Sequence, residues 1–264
     1  MFPVLFEINI FVIHTYGFFI ALAFLCAIFI SKREAKIVGE DPEKIGDMIF
    51  WVLIAAIIGS RLFYVVIYRD KYFPGNFWDV FKIWEGGLVF YGGFIGALVI
   101  AIWFLNKNKM RIWKAGDIVT PAIPFGHFLG RLGCFSAGCC HGKECTLPWA
   151  VVYSHPETLA PTGVPVHPTQ LYESFCNLLI FAFIMYYKRY KKFDGQVFWT
   201  YVIIYAITRS IIEMFRGDFR GAEILGILST SQSIACVLFA IAVAMLVILK
   251  KRSDNEANSD LKAG

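Results

Sequence analysis

Seven stretches of the chain are candidates to cross a lipid bilayer: roughly 10–31, 46–68, 87–106, 117–133, 167–187, 196–215 and 224–249. A hydrocarbon layer about 30 Å thick, divided by a helical rise of about 1.5 Å per residue, asks for about 20 residues. Inside that layer every backbone N–H and C=O must be satisfied within the protein, so only helices and closed barrels span it. The runs are continuous rather than alternating, which excludes a barrel. The fourth run is the most interrupted, with Pro121, Pro124 and Gly126. The expected fold is therefore all-α: a polytopic membrane protein of about seven transmembrane helices. Of 264 residues, 58% are apolar and 17% charged, whereas soluble domains average about 45–50% and about 25%. A disordered chain would not tolerate so much apolar surface.

The first run has no basic segment before it and no small-residue cleavage site after it, so it reads as a retained anchor rather than a signal peptide. Of the 25 Lys and Arg, sixteen fall in the alternate connecting segments 32–45, 107–116, 188–195 and 250–264. Six (Arg69, Lys71, Lys82, Lys143, Arg216 and Arg220) fall in the opposite set. Positive charge collects on the cytoplasmic side, which puts the N-terminus outside and the C-terminus inside. The expected organisation is a membrane domain over 1–252, with an outward-facing segment at about 134–166 and a polar, disordered cytoplasmic tail over 253–264. The net charge of +5 follows from this bias and from attraction to anionic membrane lipid; it does not point to nucleic acid.

The remaining three, Arg61, Arg131 and Arg209, lie inside apolar runs, all in the outer half. An ionisable group at such depth is costly and marks a functional site by default. At the same level lie His14 and Tyr16, Tyr91, and the His167, Gln170 and Glu173 that open the fifth run. Each arginine also has a structural reading. Arg61 is equally well explained by snorkelling to a head group. Tyr205, Arg209 and Glu213 are spaced i, i+4 and i+8 on one helix face, so an Arg209–Glu213 ion pair is the alternative there. Around Arg131, the run Gly130-Arg131-Leu132-Gly133 lets a ligand or backbone come close. Planar guanidinium forks bind phosphate oxygens bidentately, so arginines at one depth suggest a lipid-phosphate site.

Gly92 and Gly96, in the run Gly86-Gly87-Leu88-Val89-Phe90-Tyr91-Gly92-Gly93-Phe94-Ile95-Gly96, form a small-xxx-small pair that brings helices close. That leaves Tyr91 among them without an explanation. Of the seven cysteines, Cys26, Cys176 and Cys236 sit in apolar runs and read as packing residues. Cys134, Cys139, Cys140 and Cys145 cluster around His141 in the outward segment. Disulfides, free thiols, a bound metal and a redox pair all remain open, since the spacing is not a standard C-x₂-C zinc pattern. No resident metal or cofactor is assigned.

In order and spacing these motifs resemble the prolipoprotein diacylglyceryl transferases of bacterial inner membranes, from His14 to about Gly226. The most specific stretch is Gly130-Arg131-Leu132-Gly133-Cys134-Phe135 through Gly142, similar to the family's Gly-Arg-x-Gly-Asn-Phe. Others are His14-Thr15-Tyr16-Gly17, Gly59-Ser60-Arg61-Leu62, Gly86-Gly87 with Tyr91-Gly92-Gly93, His167-Pro168-Thr169-Gln170-Leu171-Tyr172-Glu173, and Tyr205 through Arg216. The resemblance implies transfer of the diacylglyceryl group of phosphatidylglycerol to the lipobox cysteine thiol in a prolipoprotein signal peptide, with release of glycerol phosphate. This is the first step of lipoprotein maturation, with the active site on the periplasmic side. It also implies that Arg131 binds phosphatidylglycerol, that Arg209 is a second essential arginine, and that Tyr16, Tyr205 and Gly142 are functional. The expected catalytic set is Arg131, Arg209 and Tyr91. Substrate is expected to meet Arg131, His14, Tyr16, Arg61, Gly142, His167, Gln170, Tyr205 and Glu213.

The chain departs from the family pattern in three places. Tyr91 stands where the family often has His, proposed there as the base; tyrosine titrates near about 10, so Tyr91 suits positioning better than proton abstraction. Cys134 replaces the usual Asn, and Cys139 the usual Glu. Two other classes compete. One is a lipid or anion transporter, for which internal repeats and a midplane site would be expected. The other is a membrane thiol oxidoreductase using Cys139, Cys140 and Cys145.

Overall fold

The computed structural model describes residues 3–8, 11–72, 77–82, 86–217 and 229–263. Trp84, Glu85, Arg220 and the opening of the seventh apolar run therefore lie outside the described residues. In chain order the helices are α1 (Thr15–Ile37), α2 (Pro42–Ile67), a single turn α3 (Arg69–Tyr72), α4 (Phe90–Lys107), α5 (Ile112–Val119), α6 (Ala122–Ala137), α7 (Thr169–Tyr187), α8 (Gln196–Glu213) and α9 (Thr230–Ala263). Two small antiparallel sheets accompany them: β1 (Val4–Ile8) with β2 (Phe11–His14), and β3 (Val151–Val152) with β4 (Pro165–Val166). The protein is thus mainly rather than wholly helical.

Helices fall on all seven apolar runs. Among the described residues, four helical stretches, α1, α2, α4 and Thr230–Ser259 of α9, are long and apolar enough to cross a membrane. The fourth run is split into α5 and α6, because Pro121 offers no N–H to continue the ladder. The first run was expected to be helical from residue 10; instead residues 11–14 pair with β1 and the helix starts at Thr15. Phe11-Val12-Ile13 suits a strand as well as a span, and apolar length alone cannot see that a pairing partner precedes it. The tail is a second correction: α9 continues through it to Ala263, helped by an i,i+4 pair of Arg252 Nε with Glu256 Oε1 at 3.1 Å.

The chain divides into two compact units, Met1–Ile30 with Gly116–Gly264, and Ser31–Ala115. In the first, Ile180 and Ile184 of α7 bury against Val197 and Tyr201 of α8, flanked by Ile123, Ile204 and Tyr205. The start of α8 is fixed by Asp117, whose carboxylate accepts from Gly195 N at 2.8 Å and Phe198 N at 2.9 Å. A carboxylate there meets the positive end of the helix dipole and its unpaired N–H groups. Lys191 Nζ pairs with Asp117 at 2.9 Å and Asp194 at 2.8 Å; burial works against the Lys191 charge, but the two carboxylates raise its pKa above the ordinary lysine value. After α6, Gly138 adopts φ 77° and closes the helix. The segment that follows folds on its own small core of Tyr153, Ala160 and Val166 beside β3 and β4.

In the second unit α2 packs against α4 through glycines. A Cβ on Gly92 would collide with the Gly59 carbonyl and Phe63, and one on Gly96 would stand 2.6 Å from the Ala55 carbonyl. The small-residue pair therefore does what its spacing suggests: it lets two apolar helices touch backbone to backbone.

Candidate active site

The site grows from a polar stripe on an otherwise apolar helix. Gln170, Glu173, Ser174 and Asn177 of α7 recur at helical spacing and are all buried, as is Thr169 before them. The stripe faces α6, where Ser174 Oγ donates to the Phe128 carbonyl at 3.0 Å. One turn further along α6 is Arg131, whose Nη2 meets Glu173 Oε1 at 2.8 Å. The other oxygen of Glu173 lies 3.7 Å from Arg216 Nη1. Arg216 Nε lies 3.7 Å from Glu213 Oε2, and that same oxygen pairs with Arg209 Nη2 at 2.6 Å. The start of α9 and the residue before it join in: Arg209 Nη2 donates to Ser231 Oγ at 3.3 Å, and Ser229 Oγ to Glu213 Oε1 at 3.4 Å.

Arg131, Glu173, Arg216, Glu213 and Arg209 thus form one continuous chain of ion pairs across α6, α7 and α8. The side chains of Glu173 and Arg216 are each 2% exposed, whereas Arg131 is 19% exposed. Charges buried this deeply persist only when paired. Three guanidiniums face two carboxylates, so the network carries a surplus of one positive charge. Arg209 Nη1 is buried and has no hydrogen-bond acceptor among the described residues. The arrangement can hold a monoanion.

In the sequence Arg216 falls among the outer-loop charges and at the end of the Tyr205 to Arg216 stretch, without a place in the site. The structure shows how it is placed. Gly142 N donates to the His167 carbonyl and Lys143 N to the Phe215 carbonyl, both at 2.9 Å, and Gly142 bridges to Arg216 itself. A Cβ on Gly142 would stand 2.5 Å from His167 Cβ and 2.7 Å from the Phe215 carbonyl. Only glycine fits between those two segments. The signal for Arg216 was its place three residues after Glu213 and seven after Arg209, on the continuation of the same face.

Gln170 has a more structural place than expected. Its Nε2 donates to the Cys139 carbonyl at 2.7 Å and lies 3.1 Å from Tyr153 Oη, while Thr169 Oγ1 holds the Cys140 carbonyl at 2.8 Å. Burial pushes the Tyr153 phenol up to about 12, against the Gln170 hydrogen bond. His167 Nδ1 is 3.3 Å from Tyr172 Oη, and its ring lies 5.5 Å from that of Phe215. Tyr205 stands between His127 and Tyr201, with ring separations of 5.4 and 5.8 Å, within the field of Glu173, Arg131, Arg209 and Arg216. Tyr16, in the first turn of α1, lies over Gly133, where a Cβ would come within 3.3 Å of its ring. His14 is exposed at the end of β2.

All seven cysteines are free thiols. The sulfurs of Cys134, Cys139 and Cys140 lie within 4.8 Å of one another, whereas Cys145 is tied by its backbone to Pro165 at 3.0 Å. The three thiols hydrogen-bond one another, and Arg131 and Arg216 lie beside Cys140.

Arg61 and Tyr91 belong to the second unit. Arg61 is buried, and its guanidinium serves backbone: Nε donates to the Val80 carbonyl at 2.8 Å, and Nη1 to those of Gly86 at 2.7 Å and Gly87 at 3.3 Å. It also lies over the Tyr64 ring at 5.5 Å. Tyr91 is exposed in the first turn of α4, its ring 5.8 Å from that of Phe90.

The family model for prolipoprotein diacylglyceryl transferase matches residues 3–248. Relatives named phosphatidylglycerol–prolipoprotein diacylglyceryl transferase include one from Clostridium tetani, 35% identical over 245 residues that cover 93% of this chain and 96% of the relative. Another, from Oceanobacillus iheyensis, is 33% identical across 93% of this chain and 87% of its own length. A third, from Geobacter sulfurreducens, is 31% identical across 95% and 96%. Matched along nearly its whole length, the chain belongs to the prolipoprotein diacylglyceryl transferase family.

Proposed function

We propose that this protein is the transferase that moves the diacylglyceryl group of phosphatidylglycerol onto the lipobox cysteine thiol of a prolipoprotein, releasing glycerol phosphate, in the first step of lipoprotein maturation. The observation that carries the reading is the network from Arg131 to Arg209, with one positive charge in excess. A phosphodiester brings a single negative charge. The carboxylates hold the guanidiniums in place, so little reorganisation is needed when charge builds on the leaving phosphate. Such preorganised donors are the largest contribution in many enzymes.

Arg131, the most exposed of the three, grips the head-group phosphate, and Arg209 and Arg216 stabilise the departing glycerol phosphate. Tyr16 and Tyr205 line the site with hydroxyls. Gly142, His167, Gln170 and Glu213 shape it by holding the loop and the arginines. The nucleophile is the thiolate of the substrate cysteine, since the thiol itself reacts poorly. Arg61 holds the loop that leads into α4, and Tyr91 orients a reactant; Tyr91→Phe is expected to keep turnover within about fivefold, the worth of one hydrogen bond.

Seven spans, the N-terminus outside, and a site near the outer face of the bacterial inner membrane complete the proposal. The Lys and Arg distribution supports that orientation. Both substrates are membrane-borne, and holding them together removes much of the entropic barrier. The test is purified protein incubated with phosphatidylglycerol vesicles and a lipobox peptide. A peptide mass increased by one diacylglyceryl group, in thioether linkage, is the expected result. No adduct, or undiminished adduct from both Arg131→Ala and Arg209→Ala, overturns it.

A further inference from the structure

We propose that Cys134, Cys139 and Cys140 form a three-thiolate site for a thiophilic divalent cation, zinc above all, whose fourth position receives the substrate thiol. This rests on the transferase reading and deepens it.

The geometry comes first. The three sulfurs lie within 4.8 Å of one another. Tetrahedral zinc, with bonds of about 2.3 Å to sulfur, needs them about 3.8 Å apart, so they would close by about an ångström. The chain is bent to bring them there. Cys134 lies in the last turn of α6, Gly138 turns the backbone with φ 77°, and Cys140 adopts φ 62°. A non-glycine residue takes that conformation at a cost of about 1 kcal/mol or more, and such strain gathers at functional positions. Two fully buried side chains fix the turn from behind, Thr169 on the Cys140 carbonyl and Gln170 on that of Cys139. Bracing of this kind is what orients metal ligands.

A disulfide would use two of the sulfurs and leave the third without a purpose. All three are free thiols in the structure. A divalent ion uses all three and carries a net charge of only minus one with its thiolates. Soft thiolate ligands select zinc or copper(I) over hard cations.

Three protein ligands with one open position is the pattern of catalytic rather than structural zinc. A thiol that coordinates such an ion is deprotonated outright. The lipobox cysteine would lose its proton to solvent on binding. Its sulfur would then attack the diacylglyceryl carbon that bears the phosphate; the C–S bond forms, the C–O bond breaks, and the electron pair leaves with glycerol phosphate. Nothing is oxidised or reduced. Arg131, one helical turn from Cys134, would place the phosphate beside the sulfur. Tyr91 is then released from acting as a base.

The test uses the full-length enzyme purified in detergent under reducing, chelator-free conditions. Elemental analysis is expected to find about one zinc per chain, and none in a Cys134→Ser/Cys139→Ser variant whose helical circular dichroism matches the parent. Cobalt(II) substituted for zinc is expected to show thiolate-to-metal absorption that rises by about one third when a lipobox peptide supplies a fourth sulfur, and not with its Cys→Ser counterpart. No stoichiometric metal, or metal retained by the double variant, overturns the site. Metal without the peptide-dependent rise overturns the substrate-thiol role. An enzyme that makes thioether product without metal refutes this inference and leaves the transferase reading standing; metal bound without any product refutes the transferase reading instead.

Discussion

Arg131 and Arg61 each carry a guanidinium into an apolar helix, yet the two charges are satisfied by different means. Arg61 donates to three backbone carbonyls of the segment before α4. Those acceptors are neutral, and the result is a loop pinned to a helix. Arg131 meets a buried carboxylate, which is itself shared with a second arginine and linked on to a third. Carbonyls use up the hydrogen-bonding capacity of a guanidinium without concentrating charge. Carboxylates fix guanidiniums in place, and a network one carboxylate short keeps positive charge for a ligand. The contrast separates an arginine that holds structure from arginines arranged to hold an anion.

Four substitutions sharpen or break that contrast. Glu173→Gln has the largest expected effect: it strips Arg131 and Arg216 of their shared partner, and breaking a buried pair costs about 3–5 kcal/mol. Thermal unfolding in detergent should show the loss, and an unchanged midpoint would mean the pairs carry no stability. Arg131→Ala comes next. It should lower diacylglyceryl transfer by about 10²–10³-fold in protein that still inserts and keeps its helicity; a loss below tenfold would remove Arg131 from the phosphate site. Arg61→Ala should act mainly on stability, by about 1–3 kcal/mol for the carbonyls left unpaired. Its transfer rate per folded molecule should fall far less than that of Arg131→Ala, and equal losses would erase the distinction. The smallest effect belongs to Gly93→Ala on the α2–α4 contact. Its Cβ would meet the Ala56 carbonyl at 3.0 Å and Ser60 Cβ at 3.3 Å, which a slight shift relieves, so stability should drop by about 1 kcal/mol, the low end for overpacking. A collapse of the fold would show the helix contact to be far stiffer.

Much of the helical framework was legible because apolar runs of bilayer length have few other solutions. The ends were less so. Residues 11–14 form a strand because β1 lies ready to pair with it, and the polar tail stays helical because a long helix leads into it. Each depends on a neighbour that composition does not weigh. At the site, Arg209–Glu213 could be anticipated from spacing within one helix. Arg216–Glu173 could not, since those residues meet only when the end of α8 folds beside the start of α7. Gln170 looked like a ligand for substrate and serves first as a brace for the cysteine turn.

By itself the amino-acid order determined that this chain is a helical membrane protein, that three arginines fall inside apolar runs, and which family its motifs match. Those features are local, written in hydropathy, helical period and short motifs. Only the tertiary structure decided how the arginines are satisfied, that Arg216 joins two of them, and that three thiols separated by a helix end and a glycine turn come to one point. Pairing between distant segments depends on packing, and packing of side chains across helices leaves no period in the sequence for the eye to follow.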